Sequence, residues 1–178
     1  MKILYLIAAF APLLGALAAG LFGNKLGRTN SHRVAIAGVG IAMFASLWVF
    51  LDVMQGNTFN GPLYTWAVVG DIKMEIGFLI DTLTVTMMCV VTFVSLMVHI
   101  YTIGYMAEDD GYQRFFSYIS LFTFAMMMLV MANNFLQLFF GWEAVGLVSY
   151  LLIGFYYQRD SAIYANMKAF LVNRVGDF

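Results

Sequence analysis

Charge, cysteine, histidine and proline are all scarce in this 178-residue sequence. Charged residues make up 11% of it, less than half the share usual in soluble domains, so a water-facing shell around a core cannot be built from them. A formal charge of −1 gives no basic field for nucleic acid. One cysteine, Cys89, and two histidines, His32 and His99, cannot supply four thiolates for an iron–sulfur cluster or a pair of intramembrane histidines for a haem. No metal or cofactor site is therefore expected, and any electrons travel elsewhere. Two prolines exclude collagen-like or proline-rich disorder. What is abundant is apolar: 62% of the residues are hydrophobic, and the solvent they imply is lipid.

Five charge-poor runs are each long enough to cross a bilayer as a helix: Ile3 to Gly23, Val34 to Met54, Leu83 to Met106, Phe115 to Ala132 and Phe135 to Tyr157. A sixth starts near Ser161 and is still running at Phe178. It covers roughly 25 Å of a hydrocarbon core about 30 Å thick, so the chain is expected to stop inside a helix, as a truncated piece. Short loops join antiparallel neighbours. The expected fold is an all-α integral membrane protein, an antiparallel transmembrane helix bundle of five spans plus a truncated sixth.

Lys2 before an apolar stretch with Ala16, Leu17 and Ala18 also fits a cleaved signal peptide. Against that reading, Lys25, Arg28 and Arg33 follow the first run, and positive flanks stay on the cytoplasmic side. Counting alternately, Arg114 and Arg159 join them inside while Lys2 and Lys73 fall outside, so the amino terminus is expected outside. Glu108, Asp109 and Asp110 lie inside too, but acidic residues weigh little in this rule. Between runs two and three, Gly56, Asn57, Asn60, Gly61 and Pro62 mark turns, and Ile72, Met74 and Ile76 alternate with Lys73 and Glu75. Period two predicts a small outer β-hairpin.

The chemistry should sit where a charge is costly. Glu143 lies near the middle of the fifth run, where an acidic side chain costs about 2.5–3.5 kcal/mol to insert. Burial favours its neutral form and a nearby cation its ionised form; a carboxyl balanced between the two can take up and release a proton. The bland alternative is a permanently protonated side chain that ties helices together. Gly141 and Gly146 flank it and permit close helix approach or water entry. In the last run, Arg174 and Asp177 stand three apart, spaced for a pair on one helical face. Lys168 could carry protons or snorkel to the interface. His99, near the inner end of the third run, could relay protons or serve as a local hydrogen-bonding group. Asp81 suits an amino-terminal helix cap, and Cys89 and the thirteen methionines read as packing.

Three stretches carry a family resemblance: DTLTVTMMCVVTFVSLMVHIYTIGYM from Asp81, NFLQLFFGWEAVGLVSYLLIGFYY from Asn134, and MKAFLVNRVGDF from Met167. With them the chain resembles the amino-terminal part of the antiporter-like membrane subunit L (chain 5) of proton-translocating NADH:quinone oxidoreductase, respiratory complex I. The Asn-Arg-Val-Gly-Asp ending favours the L type over its M and N relatives. The resemblance implies that Glu143 belongs to the proton-translocation machinery and that Asp177 is a second functional acid. It raises His99, in a His-x-Tyr stretch, and beside these acids Arg174 or Lys168 is expected to adjust their charge. It implies inverted repeats, broken helices, membrane-embedded lysines and a lateral helix; of these, the helix with the lysine partner of Glu143, the broken helices, the second repeat and the lateral helix are expected to be missing from this chain.

The expected division is residues 1–62 as leading helices and the start of the outer loop, 63–114 as the chain 5 amino-terminal region, and 130–178 as the beginning of the antiporter-like domain. Expected partners are other membrane subunits, above all the neighbouring antiporter-like subunit, and lipid. NADH, FMN, iron–sulfur clusters and quinone are expected in partner subunits, and a bacterial cytoplasmic membrane is the expected location, with an organellar inner membrane as the alternative. Two other functions stay open: a subunit of a multisubunit sodium/proton antiporter, and an inert truncated fragment.

Overall fold

The computed structural model describes residues 1–70 and 72–177; Phe178, the end of the sixth expected run, and the side chains of Val69 and Ile72 lie outside the described residues. The first helix, α1, runs Lys2–Met54 and is interrupted at Gly27. There φ is 74°, in the left-handed region that glycine enters without steric cost. The interruption folds α1 into a hairpin whose halves lie against each other. Gly38 packs so closely on the other half that a Cβ there would sit 2.6 Å from the Ala11 carbonyl oxygen, and one at Gly15 would sit 3.3 Å from Ala35 Cα. The first two expected runs are thus the two arms of α1.

The expected hairpin follows as β1 (Phe59–Val69) and β2 (Ile72–Ile80), antiparallel, with Phe59 opposite Ile80 and Val68 opposite Lys73. Its anchored part is not the alternating Met74 and Ile76: Ile76 is exposed, whereas Phe78 and Ile80 are fully buried. The far end of β2 docks on the helices, with the Leu79 amide donating to the Met131 carbonyl at 3.0 Å. The Gly77 amide donates to Gln137 Oε1 at 2.9 Å.

Four more helices follow: α2 (Thr82–Tyr105), α3 (Tyr112–Val130), α4 (Phe135–Ile153) and α5 (Asp160–Asp177). Asp81 caps α2 as expected, accepting from the Thr84 amide at 2.8 Å, and that bond holds its carboxyl below the usual carboxylate range. Asn134 does the same for α4 through the Gln137 amide. Among the described residues α1, α2, α3 and α4 are long and apolar enough to cross a membrane. The protein is thus a mostly helical membrane chain with a small two-stranded sheet.

The helices are joined by the devices that work in lipid, close approach of small residues and interhelical hydrogen bonds. Ser120 Oγ donates to the Pro12 carbonyl and Ser117 Oγ to the Ala16 carbonyl, each at 2.8 Å, tying α3 to α1. One apolar cluster, with Val49, Phe78, Ile80, Met88 and Met127, fills the sheet end; a second, with Ala35, Met106, Tyr112, Phe116 and Phe155, fills the other. At that second end the arginines gather. Arg28 donates to the carbonyls of Ala107 and Asp109, and Arg114 reaches the Phe155 carbonyl at 3.2 Å and lies over the Phe155 ring. Lys2 stands at the sheet end, over Phe59.

Candidate functional site between α4 and α5

The α4 helix is pressed against α3 at Gly141, where a Cβ would come 2.8 Å from Leu129 Cα. Gly146, expected to help in the same way, has open space before it and makes no close approach within the described chain. The remaining face of α4 carries Glu143 towards α5.

There Glu143 forms an ion pair with Arg174. The glutamate side chain is 13% exposed and both its carboxylate oxygens are buried, while Arg174 is 30% exposed. The guanidinium lies 4.8 Å from the Phe170 ring centroid, and Phe170 in turn packs on Tyr150 of α4. The cation that offsets the insertion cost of Glu143 is therefore supplied from the next helix, one short connection away. The local spacing of Arg174 and Asp177 suggested that these two would pair with each other. Instead Arg174 crosses to α4, and Asp177 Oδ1 accepts from Trp142 Nε1 at 2.7 Å.

Trp142 is thus a member of the site that the sequence did not single out. The signal was available: an indole N–H in an apolar helix needs an acceptor, and Trp142 directly precedes the one acid of that run.

The other two candidates lie apart from this contact. Lys168 is on α5 but exposed, with no ion pair or hydrogen bond among the described residues. His99 is fully buried on α2, where its Nδ1 lies 2.7 Å from the Ser95 carbonyl as donor to it, and its ring stands 6.0 Å from that of Phe116. Its Nε2 is buried without a hydrogen-bond partner. Ser95 Oγ in turn meets Thr123 Oγ1 on α3. The imidazole is therefore built into the α2–α3 contact, whereas Glu143, Arg174 and Asp177 meet at the α4–α5 contact. No cluster of three or more His, Cys, Asp or Glu side chains suited to a metal occurs among the described residues.

Comparison with known proteins finds relatives over nearly the whole chain. Residues 66–116 match the family described as NADH-ubiquinone oxidoreductase (complex I), chain 5 N-terminus, and residues 132–178 match the one described as NADH:quinone oxidoreductase/Mrp antiporter, TM. The NADH-quinone oxidoreductase subunit L of Neisseria meningitidis serogroup B is 63% identical over 98% of this chain and 26% of its own length. The NADH-ubiquinone oxidoreductase chain 5 of Dictyostelium discoideum is 46% identical over the same shares, 98% and 26%. The chain thus spans about a quarter of the length of these curated relatives. In fold it is similar to a chain of the membrane-bound sulfane sulfur reductase, an archaeal respiratory membrane complex, with a TM-score of 0.82 at 15% identity over 97% of this chain and 34% of that one.

Proposed function

From the premise that this chain belongs to the family of NADH-quinone oxidoreductase subunit L and complex I chain 5, we propose that it forms part of an antiporter-like membrane subunit in a redox-driven proton pump. The observation that carries the proposal is the Glu143–Arg174 ion pair within an apolar helix pair. A carboxylate held there by a single cation exchanges its proton when that cation withdraws, because burial then favours the neutral form. Glu143 is the exchangeable site, Arg174 the group that sets its charge, and Asp177 the coupled second acid. Lys168, exposed on the same helix, delivers or receives protons at the inner side. His99 relays at the α2–α3 contact. The chain carries no redox centre; NADH, FMN, iron–sulfur clusters and quinone reside in partner subunits. The partners are other membrane subunits, with the neighbouring antiporter-like subunit foremost among them.

The two arms of α1, then α2, α3 and α4, make five spans, with α5 as the sixth segment. The end that gathers Arg28 and Arg114 faces the cytoplasm, which puts the amino terminus and the sheet outside a bacterial cytoplasmic membrane. Residues 1–62, 63–114 and 130–178 correspond to the leading helices, the chain 5 region and the start of the antiporter-like domain.

A sodium/proton antiporter subunit is the second reading, favoured by the match at 132–178, whose description covers both kinds of protein. The test is Glu143→Gln in the full-length subunit within the assembled complex, reconstituted into vesicles. Proton translocation per NADH oxidised should fall at least several-fold. Unchanged pumping would remove Glu143 from the mechanism, and sodium-dependent proton flux without NADH oxidation would favour the antiporter.

A further inference from the structure

Glu143 and Trp142 are adjacent on α4, and their partners Arg174 and Asp177 stand one turn apart on α5, so the two helices are joined by two polar rungs. At that spacing Arg174 also has Asp177 within reach on its own helix. It has two carboxylates to choose from and takes the one across the interface. Its Nε is buried without a hydrogen-bond partner, so the guanidinium has a donor to spare. Asp177 gives Oδ1 to the indole N–H, which fixes the direction in which the carboxylate points.

We infer that Trp142 is a positioning residue that selects the partner of Arg174: by orienting Asp177 it keeps the guanidinium on Glu143. When Glu143 takes up a proton, Arg174 crosses to Asp177 and the indole is released. Both bonds to the Asp177 carboxylate are charge-assisted, but the guanidinium brings a full opposite charge and can bind bidentately, so the indole holds Asp177 only while Glu143 is the better partner for Arg174. The charges balance: two carboxylates and one guanidinium carry −1, and binding one proton to a Glu143 oxygen brings the group to zero. Only an O–H bond forms, and the indole, which donates only, neither gains nor loses a proton.

Few other titratable groups bear on this exchange. Tyr150 on α4 packs on Phe170; Asp160, Tyr164 and Lys168 lie on earlier turns of α5. Against α4, α3 offers Tyr112, Arg114 and Tyr118, with Arg114 bound at the carboxyl end of α4 through the Phe155 carbonyl. From β2 come Lys73 and Glu75, at the sheet end.

This inference rests on the proton-exchange reading of Glu143, and the experiment separates the two. In full-length subunit within the assembled complex, the pH profile of protons translocated per NADH oxidised is measured for Trp142→Phe, Asp177→Asn and the double variant. Trp142→Phe removes the donor but keeps an aromatic ring. Asp177 then competes for Arg174, Glu143 takes its proton more readily, and the profile moves up by about half to one pH unit. Asp177→Asn removes the competitor and moves it down, and the double variant follows Asp177→Asn. A Trp142→Phe profile that superimposes on the wild type, or an upward shift that persists in the double variant, overturns the inference. Should Trp142→Phe fail to assemble, an unshifted or upward-shifted Asp177→Asn profile overturns it by itself. If Glu143→Gln pumps normally, the underlying reading fails instead; if it abolishes pumping while Trp142→Phe is silent, only the role of Trp142 fails.

Discussion

The contact between α1 and α3 and the contact between α4 and α5 are built on opposite principles. The first is dense: alanine and glycine bring backbones together, and serine hydroxyls of α3 donate to carbonyls of α1. The second is sparse. No described residue of α5 is buried, and α5 is held on α4 by the Glu143–Arg174 pair, the Trp142–Asp177 bond and the Tyr150–Phe170 ring contact. A contact of small residues and neutral hydrogen bonds has one good arrangement, because any shift forfeits packing on every side. A contact made by long charged side chains has several, because each cation can find another acceptor. The difference teaches what each contact can respond to: the first answers to volume, whereas the second answers to charge, because ionised side chains make its two polar rungs.

The largest effect that would test this comparison comes from glycine. Gly38→Leu drives a side chain into the Ala11 backbone and should cost at least about 1–3 kcal/mol, read as a lower thermal unfolding midpoint in detergent. Gly146→Ala, facing open space inside α4, should leave that midpoint unchanged or raise it slightly, by up to about 1 kcal/mol; a loss at both sites would break the contrast.

Next is the α2 cap. Asp81→Ala should cost about 1 kcal/mol. The sign of its pH dependence follows from the lowered carboxyl: the stabilisation is fully present above the unfolded carboxylate pKa of about 3.9 and fades as acid protonates the folded form below it. Unfolding midpoints of wild type and variant should therefore converge in acid.

The smallest effect is that of Ser120→Ala, which removes one α3–α1 hydrogen bond. Intramembrane bonds of this kind average about 0.6 kcal/mol, so its effect on the unfolding midpoint should be slight and proton pumping unaffected.

Much of the architecture was legible because it depends on short-range facts. The apolar runs appear as helices close to their expected bounds, the hairpin follows from turn residues and alternation, and Asp81 caps the helix that it precedes. The alternation misled in detail: it pointed to Met74 and Ile76, yet the sheet is anchored through Phe78 and Ile80, which meet the ends of the helices. Glu143 stood out because a lone acid in an apolar run is costly whatever surrounds it. The partner of Arg174 was not legible, since the helix period brings Asp177 near but says nothing of what lies across the interface. Gly141 and Gly146 look alike in sequence, and only the first meets a neighbour.

The sequence by itself determined the solvent, the helices, the hairpin and the one acid that needs an explanation, because insertion energies and turn preferences are properties of a residue and its near neighbours along the chain. The tertiary structure alone decided which cation answers that acid and that Trp142 holds the competing carboxylate. Those choices depend on how α5 lies against α4, a distance of a few ångströms between segments some thirty residues apart.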